Sequence, residues 1–175
     1  MTTSGYINSG NKLDEGNSYL FRVHALVTLQ DERAYLILED PYHIKHLLPS
    51  WLYTNYKIEP GQTIKCIVDK INCTGRVYLE PEHPVYSIGC VYDFPLLSVQ
   101  KHEQRKKGKL TLSDTFENEI EMECPAEFVE LLNSLDYVSC TVMRIRKGKP
   151  VLSLEKQFKE QLQNKLTSRQ TESVD

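Results

Sequence analysis

Nowhere in the 175 residues is there a run of about 18 apolar residues, so no helix of this chain is expected to cross a membrane. The opening MTTSGYINSGNKLDE lacks the apolar segment of a secretory signal, and the expected location is the cytoplasm. The five cysteines (Cys66, Cys73, Cys90, Cys124, Cys140) are odd in number and form no CxxC pair. That argues against a disulfide framework and for reduced thiols packed mostly as small hydrophobes, with Cys66 and Cys90 placed as core residues of alternating strands. Excess charge of one sign is also missing: 21 Lys and Arg against 24 Asp and Glu leave a formal charge of −3. Affinity for a polyanion therefore has to come from a local patch. Nucleophile motifs, phosphate loops and paired catalytic acids are absent, so neither an enzyme nor a cofactor is expected. Cys66, Cys73, His83 and Cys90 offer metal-ligand types, but their spacing contains no tight pair of ligands and no metal is expected.

What is present is alternation. In YLFRVHALVTL, Phe21, Val23, Ala25 and Val27 fall on one face and Leu20, Arg22 and His24 on the other, the period of a half-buried strand. AYLILED, HIKHLLP, TIKCIVDKI and RVYLEPEHP follow as short strands separated by polar turns. Between the third and fourth, SWLYTNYKI places Trp51, Leu52 and Tyr56 at near-helical spacing after a Pro-Ser start. Five strands with a helical connection before the fourth match an OB barrel.

The second half repeats the order: GCVYDFPLLSV, KLTLSD, NEIEMECP, a helical AEFVELLNSL, YVSCTVMRI and KPVLSLEKQ. Leu36 to Asp40 answer Leu110 to Asp114, and Val68 and Ile71 answer Val142 and Ile145 at the same offset. Matching Leu79-Glu80 with Leu154-Glu155 requires one inserted residue in the last hairpin. The expected fold class is all-β with short helices, as two tandem five-stranded OB-type barrels. The expected divisions are a flexible lead over 1–15, barrels over 16–86 and 87–156, and a C-terminal helix and tail over 157–175.

The segment YKIEPGQTIKCIVDKINCTGRVYLEPEH resembles the second half of the S-one-type RNA-binding domain, in which a glycine turn precedes an alternating strand and a polar turn precedes the closing strand. Gly61-Gln62, Thr63 to Ile71 and Val77 to Glu80 carry that likeness. The second repeat keeps Val151-Leu152-Ser153-Leu154 but has Leu135-Asp136-Tyr137 where the glycine turn belongs. INCTGRVYLEPEHP also resembles small bacterial proteins built from such barrels. The resemblance implies an OB fold and an RNA partner.

The residues themselves offer a binding surface. KHEQRKKGK holds Lys101, Arg105, Lys106, Lys107 and Lys109, and RIRKGK holds Arg144, Arg146, Lys147 and Lys149. In OB folds these two loops flank one face, where basic side chains release counterions from a phosphate backbone. Arg22, His24, Tyr35, His43 and Lys45 of the first repeat add cations and rings on which bases stack. The expectation is a non-enzymatic binder of RNA or single-stranded DNA, with no small-molecule substrate and no membrane partner. Two readings compete with it. Lysine-rich hairpins also serve solubility alone, and acidic ENEIEME in the second repeat repels phosphate. The alternative is a protein-interaction adaptor using barrel faces or the C-terminal helix.

Overall fold

A computed structural model describes residues 12–101 and 106–172. The chain forms two compact units, residues 1–82 and 83–175. The boundary falls four residues before the expected one, because Tyr86 belongs to the second core.

Both units are OB-type barrels. In unit one the strands are β1 (Ser18–Thr28), β2 (Ala34–Glu39), β3 (Lys45–Pro49), β4 (Thr63–Ile71) and β5 (Val77–Pro81), in the antiparallel order β3-β2-β1-β4-β5. In unit two they are β6 (Val91–Lys101), β7 (Lys107–Ser113), β8 (Glu119–Pro125), β9 (Tyr137–Arg146) and β10 (Lys149–Leu154), in the equivalent order β10-β9-β6-β7-β8. The first strand of each unit is long enough to be shared. Ser18 to Arg22 pair with β4 while Arg22 to Thr28 pair with β2, and β6 divides itself between β9 and β7 in the same way. A bulge bends each at the changeover, between Val23 and Ala25 and between Leu96 and Ser98.

The alternation read from the sequence becomes the core. Phe21, Val23, Leu36, Leu38, Cys66 and Val68 are buried in unit one; Phe94, Leu110, Leu112, Cys140 and Val142 occupy the matching places in unit two. Burial raises the thiol pKa of Cys66, Cys124 and Cys140, the last to about 12, so these three are inert packing groups. Cys73 and Cys90 are exposed, the latter against expectation, because it stands in the turn before β6 rather than within the strand. Leu13, expected in a flexible lead, is instead buried in the first core.

The duplication extends to a buried aspartate. Asp40 accepts the backbone N–H groups of Tyr42 and Ile44 through Oδ1 and binds His46 through Oδ2. Asp114 accepts those of Phe116 and Asn118, and its Oδ2 takes the Asn118 side-chain amide. Each turn has one residue in the left-handed region, His43 (φ 65°) and Glu117 (φ 61°). The expected inserted residue is a deletion. Val68 faces Leu79 and Val142 faces Leu152, so the second hairpin is one residue shorter, closing on Lys147-Gly148, both with positive φ.

The connections before the fourth strands are shorter than the helical spacing suggested. Unit one has two single 3-10 turns, Ser50–Leu52 and Thr54–Tyr56. Unit two has a 3-10 turn at Ala126–Phe128 running into α1 (Val129–Leu132). The final helix α2 (Lys156–Glu172) is capped by Glu155, whose carboxylate accepts the N–H groups of Gln157 and Phe158. Phe158, Leu162 and Leu166 lay it on the second core.

Two predictions follow from these buried polar groups. Asp40→Ala and Asp114→Ala each leave two turn amides without their acceptor and should cost about 2 kcal/mol, read as a shift in chemical denaturation. His83 is 5% exposed, and its Nδ1 accepts the N–H groups of Val85 and Tyr86, so the ring is neutral at that atom. Desolvation holds its pKa below the ordinary 6.5. As pH falls below 6.5 the unfolded chain takes up a proton that the folded one excludes, and stability drops until the folded value is reached. His83→Asn keeps an acceptor without titrating there; its denaturation midpoint should fall less than the parent's between pH 7 and pH 5.

Candidate functional site

The residues singled out in the first repeat fall into two groups. One surrounds Glu39. The register sets Arg22 on β1 and Lys45 on β3 directly opposite it on its two sides. His43 Nδ1 lies 2.8 Å from its Oε1, and His24 Nε2 meets its Oε2. These bonds, His43's first and His24's second, hold the Glu39 carboxyl below its usual range. Four expected ligand-facing groups are thus gathered around one carboxylate. In the second repeat Leu97, Ser113 and Glu117 stand where His24, Glu39 and His43 stand in the first, so this cluster is not part of the common scaffold.

Tyr35 belongs to the second group, at the β1–β2 and β4–β5 hairpins. Its hydroxyl donates to Asp31 at 2.8 Å, which lowers the Asp31 pKa and raises that of Tyr35. Its ring meets Trp51 edge-on, with centroids 5.1 Å apart. The Arg33 guanidinium lies 5.2 Å from the centre of the Trp51 ring, and that of Arg76 lies 5.3 Å from the centre of Tyr78. Each of the two hairpins thus carries one pairing of an aromatic ring with a guanidinium group. Trp51 is 42% exposed and Tyr78 43%. Large rings half open to solvent and covered by guanidinium groups form a platform, not a core.

Sequence reasoning missed Trp51, Tyr78, Arg33 and Arg76. Trp51 read as a helix position, and Tyr78 and Arg76 as parts of a closing strand and its turn. The available signal was the alternation of β5, which sends Tyr78 outward while Leu79 goes in. The second repeat keeps the cations of this surface, Lys107 for Arg33 and Lys149 for Arg76, but has Lys109 and Val151 in place of Tyr35 and Tyr78.

The basic residues of the second repeat are differently placed from what was expected. Lys107 and Lys109 stand on β7 and form ion pairs with Glu123 and Glu121 of the adjacent β8, the latter at 2.6 Å. Lys101 ends β6, Lys106 precedes β7, and Arg144, Arg146, Lys147 and Lys149 are exposed at the β9–β10 hairpin. Arg105 lies outside the described residues. Among the described residues there is no group of three His, Cys, Asp or Glu able to hold a metal ion, and no helix is long and apolar enough to cross a membrane.

No protein-family model matches the chain, and no curated protein matches it. A solved structure that matches is described as the cytoplasmic molybdate-binding protein ModG, in a form with molybdate bound. The match covers 83% of this chain and all of that one, at 13% identity and a TM-score of 0.27. The ligand named for that protein is molybdate, a small anion. The expectation of RNA or single-stranded DNA as partner, with no small-molecule ligand, is withdrawn. The physical ground lies in this chain. Lys107 and Lys109 are already neutralised by β8, His24 and His43 are turned onto Glu39, and Tyr35 gives its hydroxyl to Asp31. A phosphate backbone would have to displace these carboxylates to reach the cations.

The Glu39 cluster can be tested directly. The double substitution His24→Ala, His43→Ala should return the Glu39 carboxyl toward 4.5, measured as its NMR titration midpoint.

Proposed function

We propose that the chain is a non-enzymatic protein-interaction module whose contact surface is the Tyr35, Trp51 and Tyr78 platform with Arg33 and Arg76. The observation that carries this reading is the pairing of half-exposed Trp and Tyr rings with two guanidinium groups at the hairpins of unit one. Tryptophan, tyrosine and arginine are the side chains that concentrate binding energy at protein interfaces, because each joins a large rigid contact area to a polar handle. The partner that fits is an acidic peptide segment with an apolar or aromatic side chain beside its carboxylate. The apolar group covers Trp51 or Tyr78, and the carboxylate takes two parallel hydrogen bonds from a guanidinium. The S-one-type likeness is then one of fold, and the free thiols suit a reducing, cytoplasmic setting.

The test is binding of a synthetic Asp- and Phe-containing peptide to the full chain. Trp51→Ala and Arg76→Glu should each weaken it by about 30-fold, the size of an interface hot spot, with thermal unfolding little changed. Equal affinity in parent and variants defeats the proposal.

A further inference from the structure

The two copies differ across the outer face of their first three strands. In unit one the bulge after Val23 turns Ala25 and Val27 outward, directly opposite Ile37 and Tyr35 of β2. Those two in turn stand opposite Leu47 and Pro49 of β3. The equivalent rows of unit two are Ser98, Thr111 and Glu121, then Gln100, Lys109 and Glu123. The barrel scaffold thus accepts a polar outer face at these positions, and unit one has an apolar one. Ala25, Ile37 and Leu47 stand outside the first core, and Leu47 is 41% exposed. An apolar row that the scaffold does not require, laid open on a sheet, marks a contact surface.

We infer that this face receives an amphipathic helix of a partner protein, apolar along the side that meets Ala25, Ile37 and Leu47 and acidic at the end that reaches Arg22 and Lys45. The inference rests on the platform reading, because Tyr35 belongs both to this face and to the contact with Trp51. Backbone chemistry selects a helix. β2 is hydrogen-bonded to β1 on one side and to β3 on the other, so the centre of the face offers side chains and no backbone groups. An occupant must satisfy its own N–H and C=O groups, which an α-helix does and an extended segment does not. Three strands measure about 10 Å across at ordinary spacing, and one helix with its side chains is about as wide. Charge selects the acidic end. Arg22 and Lys45 flank Glu39, whose carboxylate is already held by His24 and His43. Two cations share one occupied anion there, and a carboxylate is the complementary group. Among the described residues the one long helix, α2, already has its apolar side on the second core, so the occupant comes from another protein.

The probe is a fluorescent synthetic peptide of about 18 residues, long enough to be helical, with a leucine stripe and glutamates at both ends. It is titrated into the full chain. The double substitution Ile37→Thr, Leu47→Glu installs residues that the same scaffold carries in unit two, and should weaken binding by about tenfold or more. Lys45→Glu, again the residue of unit two, should weaken it too, as should lysine in place of the peptide's glutamates. A peptide of the same composition with its leucines scattered around the helix tests the unaltered chain, and should bind about tenfold more weakly. No binding of the striped peptide, equal binding of the scattered one, or undiminished binding by the double variant overturns the inference. If Trp51→Ala still weakens the Asp- and Phe-containing peptide in that case, the platform reading stands and this one alone fails; if it does not, both fail. A concentration-dependent dimer of the chain abolished by the double substitution also overturns it, in favour of a second copy.

Discussion

Each unit depends on one strand doing the work of two. Because β1 gives its first half to β4 and its second half to β2, a single eleven-residue strand carries the curvature that rolls five strands toward closure. The bulge after Val23 is the hinge of that curvature, and β6 repeats it after Leu96. The shared strand also determines what is left open. With the first strand paired on both sides, the third and fifth strands stand at the ends of the strand order among the described residues, and they approach one another. The hairpins that lead out of the shared strand and out of its β4 partner each carry a ring beside a guanidinium group in unit one.

Duplication serves here as an internal control. Where the scaffold constrains a position, both copies agree: Phe21 with Phe94, Leu38 with Leu112, Cys66 with Cys140, and the turn aspartates Asp40 with Asp114. Where they differ, the scaffold makes no demand. Unit one has spent those positions on histidines around Glu39 and on rings between arginines; unit two has spent them on lysine–glutamate pairs across β7 and β8. The two copies share an architecture and present different chemistry.

The strands were legible because burial of one face imposes a period of two that survives in sequence; Phe21 and Val23 are fully buried, while Ala25 and Val27, past the bulge, are partly so. The connections were less legible. Trp51, Leu52 and Tyr56 have near-helical spacing yet belong to two 3-10 turns, since three-residue and four-residue spacings look alike over so short a span. The hairpin of β9 and β10 was misaligned because Leu152 and Leu154 are both leucines two apart, and only the ladder shows which one faces Val142. The site was least legible of all. Lysines read as a basic patch are half of an ion-pair row whose other half lies on the next strand, and the aromatic platform draws on residues from 31 to 78.

That last failure has a physical cause with a constructive side. Charge in a sequence is a sum, whereas charge on a sheet is a pattern of neighbours. The acidic ENEIEME strand read as an objection to phosphate binding, but in the fold it is the partner that β7 requires. Its glutamates lie along a strand with one neighbour, so β7 can meet them from one side only. Edge strands normally carry charge that discourages adventitious pairing, and here Glu121 and Glu123 supply it while Lys109 and Lys107 of the adjacent strand compensate it.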